Sequence, residues 1–386
     1  MSRHPALALG VVTGAVVVGL GAAHAADRRD LPPAPASYGM RVAPVQLQSI
    51  GVMAFGPDAT LYVADSRAGA VYAIDPGEGG RDTSTTGLRI KGIDAQIAAA
   101  VGASASDIRV RDMVAHPATQ SVYLSVTKGR GDGATPLLVR VTKRDQRVSV
   151  VPLDAIRHAR IALPDAMSRD TTMPWEGVPR SFTMTHLAAT DGELLVAGLS
   201  SQEFKSTLRR VPLPFGQQVV TTKVEIYHTS HDRFETASPI ESMLPVTLGG
   251  RPLVLASYTC SPLVIFERDA LRGDGVVRGR TVAELGGGNR PFDMITYRSP
   301  KDGKPYLMIA NSDRTLMRFD LEALAAAPAM TTSVKQAYQP AGVPYLPVAS
   351  FGVLQLDAFN ARNVIVLQRN AADGSLDLAT VGLNWL

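Results

Sequence analysis

Three arginines occupy the first position of a five-residue sequence motif that recurs along the chain, which we call the phrase. They are Arg109, Arg180 and Arg290, and Arg111 and Glu241 occupy nearby phrase positions in two of the copies. A guanidinium donates two parallel hydrogen bonds to one carboxylate or phosphate. If the copies converge in space, the sequence predicts a binding site for a small anionic ligand. The alternative is that these arginines pair with acidic neighbours and hold the structure together.

A tryptophan precedes Arg180 by five residues. Trp175 lies in segment 164–179, which begins and ends with proline and lacks strand alternation, so it is predicted to be an inserted loop. An indole above a cavity stacks on a sugar or covers a ligand, whereas a buried indole anchors its own loop. Trp175 is therefore a candidate ligand-binding residue, with a polyhydroxy compound as a second class of ligand.

Four oxygen-bearing side chains lie at or beside the ends of predicted strands. They are Asp65, Asn289, Asp293 and Asn311. Carboxylate and amide oxygens suit hard cations, so the set predicts a site for Ca²⁺ or another divalent cation. Asn and Asp are also common turn residues because their side chains bond to nearby backbone, and that explanation stays open.

A second metal hypothesis concerns one short segment. His228, His231, Asp232 and Glu235 lie within eight residues, directly after an apolar strand. Two imidazoles and a carboxylate are zinc ligands. The spacing matches no established zinc motif, so a solvated loop is the favoured interpretation.

The elements that would position these residues come from a repeat. A five-residue phrase ends in methionine at 49–53, 109–113, 180–184, 239–243 and 290–294, and 349–353 is a sixth copy without methionine. A second apolar run follows each copy after a short turn. Short strands at such a period predict one supersecondary unit copied around an axis. We predict an all-β fold, a six-bladed β-propeller of four-stranded antiparallel blades, with seven blades as the alternative.

The first module shows the expected blade plan. Runs at 53–55, 61–64 and 69–75 alternate with turn residues, which is the pattern of antiparallel hairpins. Segment 40–48 is expected to be an outer strand that closes the ring, and short helices are expected at 93–101 and 321–326. Because first strands border the central channel, the phrase starts should converge at one mouth. The methionines should fill the space between sheets, the alternative being a thioether ring for Cu(I).

The N-terminal residues predict export. Residues 1–25 contain Arg3, an apolar run and a small-residue cleavage pattern at Ala23 and Ala25, as in a secretory signal peptide. Residues 26–41 form a Pro/Ala-rich lead-in, and 42–386 form the propeller domain. We expect a periplasmic or secreted protein that does not span the membrane after signal removal.

The amino-acid composition limits which classes of partner are expected. The formal net charge is +4, and the basic residues are spread through turns, so nucleic acid is not an expected partner. Cys260 is the only cysteine, which excludes an internal disulfide. A small, buried side chain is the favoured interpretation of Cys260, with a reactive or metal-binding thiol as the alternative.

Segment 54–66, together with 71–75, resembles a blade of the NHL, SMP-30/gluconolactonase and YncE-like propeller group. The resemblance implies a propeller, and the group includes metal-dependent lactonases, binding scaffolds and redox enzymes. The lactonase branch's Asn-Gly metal segment, a haem motif and a nucleophile elbow are not found. The sequence therefore favours an exported binding or scaffold protein of the cell envelope, with a small-molecule or protein partner at the channel mouth. The alternative is a lactonase-type hydrolase with a divalent metal on the propeller axis.

Overall fold

The computed structural model describes residues 39–168, 179–273, 275–336 and 338–386. Their strands form six sheets, and each sheet contains four antiparallel strands arranged from the channel outward. This arrangement is a six-bladed β-propeller, so the predicted fold class is confirmed. We number the blades 1 to 6 by the order of their innermost strands along the chain. The proposed signal peptide and most of the lead-in lie outside the described residues.

The first two blades are interleaved along the chain. Blade 1 begins with β1 (Arg41–Ala43), β2 (Met53–Phe55), β3 (Leu61–Asp65) and β4 (Ala70–Ile74), and the chain then continues through β5 (Arg89–Ile90) and α1 (Ile93–Ala100). Blade 2 follows as β6 (Ile108–Ala115), β7 (Val122–Lys128), β8 (Thr135–Val141) and β9 (Val148–Val150). Only then does β10 (Ile156–Ala162) add the fourth strand to blade 1, beside β4.

The next two blades are built consecutively. Blade 3 contains β11 (His186–Thr190), β12 (Glu193–Leu199), β13 (Ser206–Pro212) and β14 (Val220–His228), and β15 (Arg233–Glu235) folds back on the end of β14. Blade 4 contains β16 (Ile240–Leu248), β17 (Arg251–Tyr258) and β18 (Pro262–Glu267). After them, β19 (Val276–Arg278) pairs in parallel with β14, and β20 (Arg280–Glu284) completes blade 4.

The last two blades finish the ring. Blade 5 contains β21 (Pro291–Arg298), β22 (Pro305–Asn311) and β23 (Leu316–Asp320), which is followed by α2 (Leu321–Ala326). The chain then adds β24 (Ala341–Gly342) to the edge of blade 4 and β25 (Leu346–Val348) to blade 5. Blade 6 contains β26 (Val353–Asn360), β27 (Asn363–Arg369) and β28 (Leu376–Gly382), with β5 as its outer strand. Both expected helices, α1 and α2, are present.

The blades do not follow one another around the ring in chain order. The innermost strand of blade 1 lies between those of blades 2 and 3, and the innermost strand of blade 2 lies against that of blade 6. The ring order is therefore 2, 1, 3, 4, 5, 6, with blade 6 returning to blade 2. Segment 40–48 contributes the outermost strand of blade 1 through β1, but it does not close the ring. Closure comes instead from β5, which pairs with β28 before the chain builds blade 2.

Six apolar cores lie at the six junctions between neighbouring blades, and each contains the methionine that ends the phrase or its structural counterpart in blade 6. These residues are Met53, Met113, Met184, Met243, Met294 and Leu356. The expectation that the methionines fill the space between sheets is confirmed. The sixth phrase was aligned wrongly, because Leu356 pairs with Val366 as Met294 pairs with Ile309. Val353 corresponds to Pro291 instead.

Three inner strands are linked to a neighbouring blade by a carboxylate. In each link one oxygen accepts a hydrogen bond from a backbone N–H of the next inner strand: Asp112 from Met53 at 2.5 Å, Asp293 from Leu356 at 2.9 Å, and Asp357 from Ala115 at 2.8 Å. The other oxygen of each carboxylate accepts from the following residue of its own strand. Burial raises the pKa of Asp112 to about 7, and the charge of Asp357 adds to the rise.

The raised pKa of Asp112 predicts a pH dependence of stability. The folded state binds the Asp112 proton more tightly than the unfolded state, so the free energy of unfolding should fall as pH rises from about 4 to about 7. Asp112→Asn removes this titration, and its stability should fall less steeply, by up to about 1.4 kcal/mol per pH unit. Urea denaturation across this range measures the difference. Asp269→Asn, at an exposed turn, is the control, and equal slopes for wild type and Asp112→Asn would contradict the prediction.

Candidate functional site

Arg109 and Arg111 lie at the start of β6, on the face of the ring where the inner strands begin. A β-bulge between Val110 and Asp112 leaves Arg111 as the extra residue of the strand, and both arginines are exposed. Arg111 donates from Nε to Thr127 Oγ1 at 3.3 Å. Desolvation lowers the pKa of Arg111, and the positive charge of Arg109 lowers it further. Within the described part of the chain, neither guanidinium has an acidic partner.

Arg290 is committed to an ion pair between blades 5 and 4. Its Nε and Nη2 donate to the two oxygens of Glu241 at 3.1 and 3.0 Å, and Thr259 Oγ1 donates to the same carboxylate at 2.9 Å. The guanidinium also lies over the ring of Phe292, 5.6 Å from its centroid. A paired guanidinium is less available to a ligand, so Arg290 and Glu241 fit the structural alternative better than the anion site.

Arg180 is also bound within the protein. Its copy of the phrase forms a 3₁₀ turn, Pro179–Thr183, rather than the start of a strand. Arg180 Nε donates to the carbonyl of Ser66 at 2.9 Å, and Nη1 donates to the carbonyl of Met167. These contacts join the blade 3 turn to blade 1. Arg180 and Arg290 are therefore both bound within the protein, as the structural alternative expects, and Trp175 lies outside the described residues.

The four predicted oxygen ligands are not brought together. Asp65 belongs to blade 1, and its carboxylate accepts from Gln48 N, Ser49 N and Oγ, and Ala68 N. The other three residues lie in blade 5, three places away around the ring. The predicted turn chemistry accounts for the bond from Ala68, and the donors of Gln48 and Ser49 complete the four that occupy both oxygens of Asp65.

Within blade 5, the remaining predicted ligands point in different directions. Asn289 Nδ2 donates to Asn311 Oδ1 at 2.8 Å, and both residues are buried. The Asp293 carboxylate is instead held by the backbone N–H groups of Met294 and Leu356. Two of the four residues are thus neighbours, but their amides bond to each other.

A compact polar cluster lies at the outer edge of blade 3 on the same face. His228 Nδ1 is 2.8 Å from Glu235 Oε2, and His231 Nδ1 is 2.7 Å from Glu235 Oε1. Ser238 Oγ donates to Glu235 Oε2 at 2.5 Å. Burial alone would raise the pKa of Glu235, but hydrogen bonds from His228, Ser238 and His231 outweigh it and hold this pKa well below its usual range. The favoured interpretation of a solvated loop was wrong for His228, whose side chain is only 1% exposed.

The turn after β17 brings Cys260 against this cluster. Cys260 and Ser261 have φ angles of 63° and 88°, a region that side chains with a Cβ rarely adopt. Cys260 is half-buried, and its carbonyl oxygen lies 3.2 Å from His228 Nε2. Burial raises the pKa of the Cys260 thiol, and the nearby carboxylates of Glu235, Glu284 and Glu241 raise it further. The thiol is therefore held in its protonated, weakly nucleophilic form.

Glu284 is a buried residue of this region that the sequence reasoning missed. Its carboxylate is fully buried and accepts hydrogen bonds from Thr229 Oγ1 at 2.6 Å and from Ser261 Oγ. The sequence feature that could have identified this residue is a glutamate inside the apolar run 282–285. A buried charge in a strand requires hydrogen-bonding partners.

Comparisons with known proteins find only distant structural matches. No protein-family model matches the chain, and no curated protein is similar to it at a significant level. The extracellular domain of a hybrid two-component system from B. thetaiotaomicron is 10% identical, with a TM-score of 0.32, over 88% of this chain and 39% of that one. The Cps50 (Swd1) propeller domain of Myceliophteria thermophila is 12% identical, with a TM-score of 0.32, over 86% and 83%. The structure of U3-55K is 10% identical, with a TM-score of 0.38, over 90% and 100%.

The chain is thus a β-propeller by its own strand pairing, and its membership of the NHL and gluconolactonase group stays a prediction. The chain spans only about two fifths of the length of the two-component domain. No helix in the described ranges is long and apolar enough to cross a membrane.

The backbone of Cys260 generates a stability prediction. A residue with a Cβ pays about 1 to 2 kcal/mol in the left-handed region, whereas glycine does not. Cys260→Gly should therefore be more stable than Cys260→Ala by about 1 kcal/mol, despite the greater freedom of glycine in the unfolded chain. Urea denaturation of the two variants at one pH measures the difference. An alanine variant as stable as the glycine variant would show that the turn carries no strain.

Proposed function

We propose that the protein is an exported propeller of the binding or scaffold type, which recognises a small anionic ligand or an acidic group of a cell-envelope partner. Arg109 and Arg111 form the recognition surface. The observation that carries the proposal is their difference from Arg180 and Arg290: these two are bound to carbonyls or to Glu241, while Arg109 and Arg111 are exposed and lack an acidic partner among the described residues.

The chemistry of this pair supports an anion. Two guanidiniums on one strand repel each other, and an anion between them removes that repulsion while accepting charge-assisted hydrogen bonds. The bulge supports the same role, since bulges redirect side chains at the ends of sheets. A propeller gives such residues a rigid base because the inner strand is fixed on both sides by neighbouring blades.

The hydrolase alternative has less support. It requires a divalent metal on the axis, and the ligands predicted for that metal, Asp65, Asn289, Asp293 and Asn311, are engaged by separate hydrogen bonds. The protonated Cys260 thiol does not supply a nucleophile either. The binding role therefore stands first.

The anion site is tested with inorganic phosphate and citrate as probes. Calorimetry should detect binding of at least one of them to the wild type, weakening as salt is added because the pair is exposed. Arg109→Ala/Arg111→Ala should weaken that binding about tenfold or more, the effect of losing roughly 1.4 kcal/mol of charge-assisted bonding. Arg144→Ala, in the same blade but on the opposite face, should bind like the wild type. A wild type that binds neither probe, or a double variant that binds equally well, would refute the site.

Export is tested separately. Expression of the full chain with its own N-terminus in a Gram-negative host should give a periplasmic protein that starts at Ala26, because signal peptidase requires small residues at 23 and 25. Mass spectrometry of the purified protein identifies the first residue. Ala25→Leu should block processing, and an uncleaved wild-type chain would contradict the export proposal.

A further inference from the structure

The cluster of His228, His231 and Glu235 is independent of the arginine pair and has the geometry of a metal site. The β14–β15 hairpin aligns Ile226 with Glu235, so that Glu235 lies beside both histidines. One ligand atom from each of the three side chains lies within 4.8 Å of the others. Zinc bonds of about 2.0 to 2.2 Å require ligand atoms roughly 3.4 Å apart in a tetrahedron. The two histidine–glutamate contacts, at 2.8 and 2.7 Å, would therefore lengthen by under about 1 Å.

The His228 ring is held between two neighbours. Its two ring nitrogens face two acceptors, the Cys260 carbonyl at 3.2 Å and Glu235 Oε2 at 2.8 Å. A neutral imidazole carries one N–H, so it donates to only one of them. When Nε2–H donates to the carbonyl, Nδ1 keeps its lone pair on the side of Glu235 and can ligate a metal ion there.

His231 lies beside the other oxygen of the same carboxylate. His231 Nδ1 faces Glu235 Oε1 in the same way, and the two imidazole centroids are only 3.9 Å apart. Arg233 Nε also donates to Glu235 Oε1 at 3.0 Å, so a cation bound here competes with that guanidinium for the carboxylate. One divalent cation between the three side chains can accept a lone pair from each imidazole and from the carboxylate.

We propose that His228, His231 and Glu235 bind one Zn²⁺ ion, with a fourth position left open to water or a ligand. Two imidazoles select a borderline metal such as zinc over Ca²⁺ or Mg²⁺. The surrounding contacts match those that orient metal ligands: the Cys260 carbonyl fixes the His228 ring, and Ser238 holds Glu235. Three protein ligands with one open position is the arrangement of zinc sites that perform chemistry or accept an external ligand.

The test measures zinc and cobalt directly. Metal-free wild type titrated with ZnCl₂ should bind one equivalent, and Co²⁺ should give the visible absorption of a tetrahedral site. His231→Ala is the main variant, because His231 is 42% exposed and its removal leaves the buried His228 in place. Its zinc affinity should fall about 100-fold or more, beyond the 10- to 100-fold effect of losing an outer contact. Ser238→Ala should lose about tenfold.

Arg233→Ala is the matched control. Arg233 lies in the same hairpin and bonds the same carboxylate, but it is 68% exposed and cannot ligate a cation. Its zinc affinity should equal or exceed that of the wild type, since a competing charge is removed. The proposal fails if the wild type binds no zinc, if His231→Ala binds it equally well, or if Arg233→Ala loses as much affinity as His231→Ala. None of these outcomes affects the phosphate and citrate test of Arg109 and Arg111.

Discussion

The contact on which this ring depends is the hydrogen bond from a backbone N–H of one inner strand to a side chain of the next. Inner strands of adjacent blades belong to different sheets and form no ladder with each other, so their edge N–H groups need other acceptors. Asp112, Asp293 and Asp357 supply them across three successive junctions. Grouping these carboxylates around the channel raises the pKa of Asp293 well above its usual value, first by burial and then by the charges of Asp112 and Asp357. The junctions are therefore joined at an electrostatic cost.

The individual strands and turns were predictable from the sequence, but the pairing of distant strands and the order of the blades in the ring were not. Period-two alternation and turn residues mark individual strands, because both arise from the geometry of a few neighbouring residues. The packing of Met53 and Met294 between neighbouring sheets was predictable for the same reason. No local sequence pattern indicates that β10 pairs with β4 across an intervening blade. Nor does any indicate that β5 pairs with β28, which lies near the C-terminal end of the chain. The repeat predicted six blades, but ring order depends on which sheet edges remain free.

The difference between local and long-range contacts also explains which candidate sites could be predicted from the sequence. The cluster of His228, His231 and Glu235 lies on one hairpin, so sequence proximity alone brought its members together. The predicted arginine site assumed that every phrase begins a strand in the same way. That holds for Arg109 in β6, but the copy containing Arg180 folds as a 3₁₀ turn and reaches the carbonyls of another blade. The partner of Arg290 lies 49 residues away on blade 4 and could not be chosen from several acidic candidates.

The distribution of charge on this face separates the two proposed sites. Glu235, Glu241 and Glu284 lie close enough to Cys260 to raise its pKa together, so three carboxylates meet at the junction of blades 3 and 4, two of them paired with Arg233 and Arg290. Arg109 and Arg111 lie on blade 2, which is opposite blade 4 in the ring order. A cation is attracted to the first region and an anion to the second, and water in the wide separation between exposed charges screens one from the other.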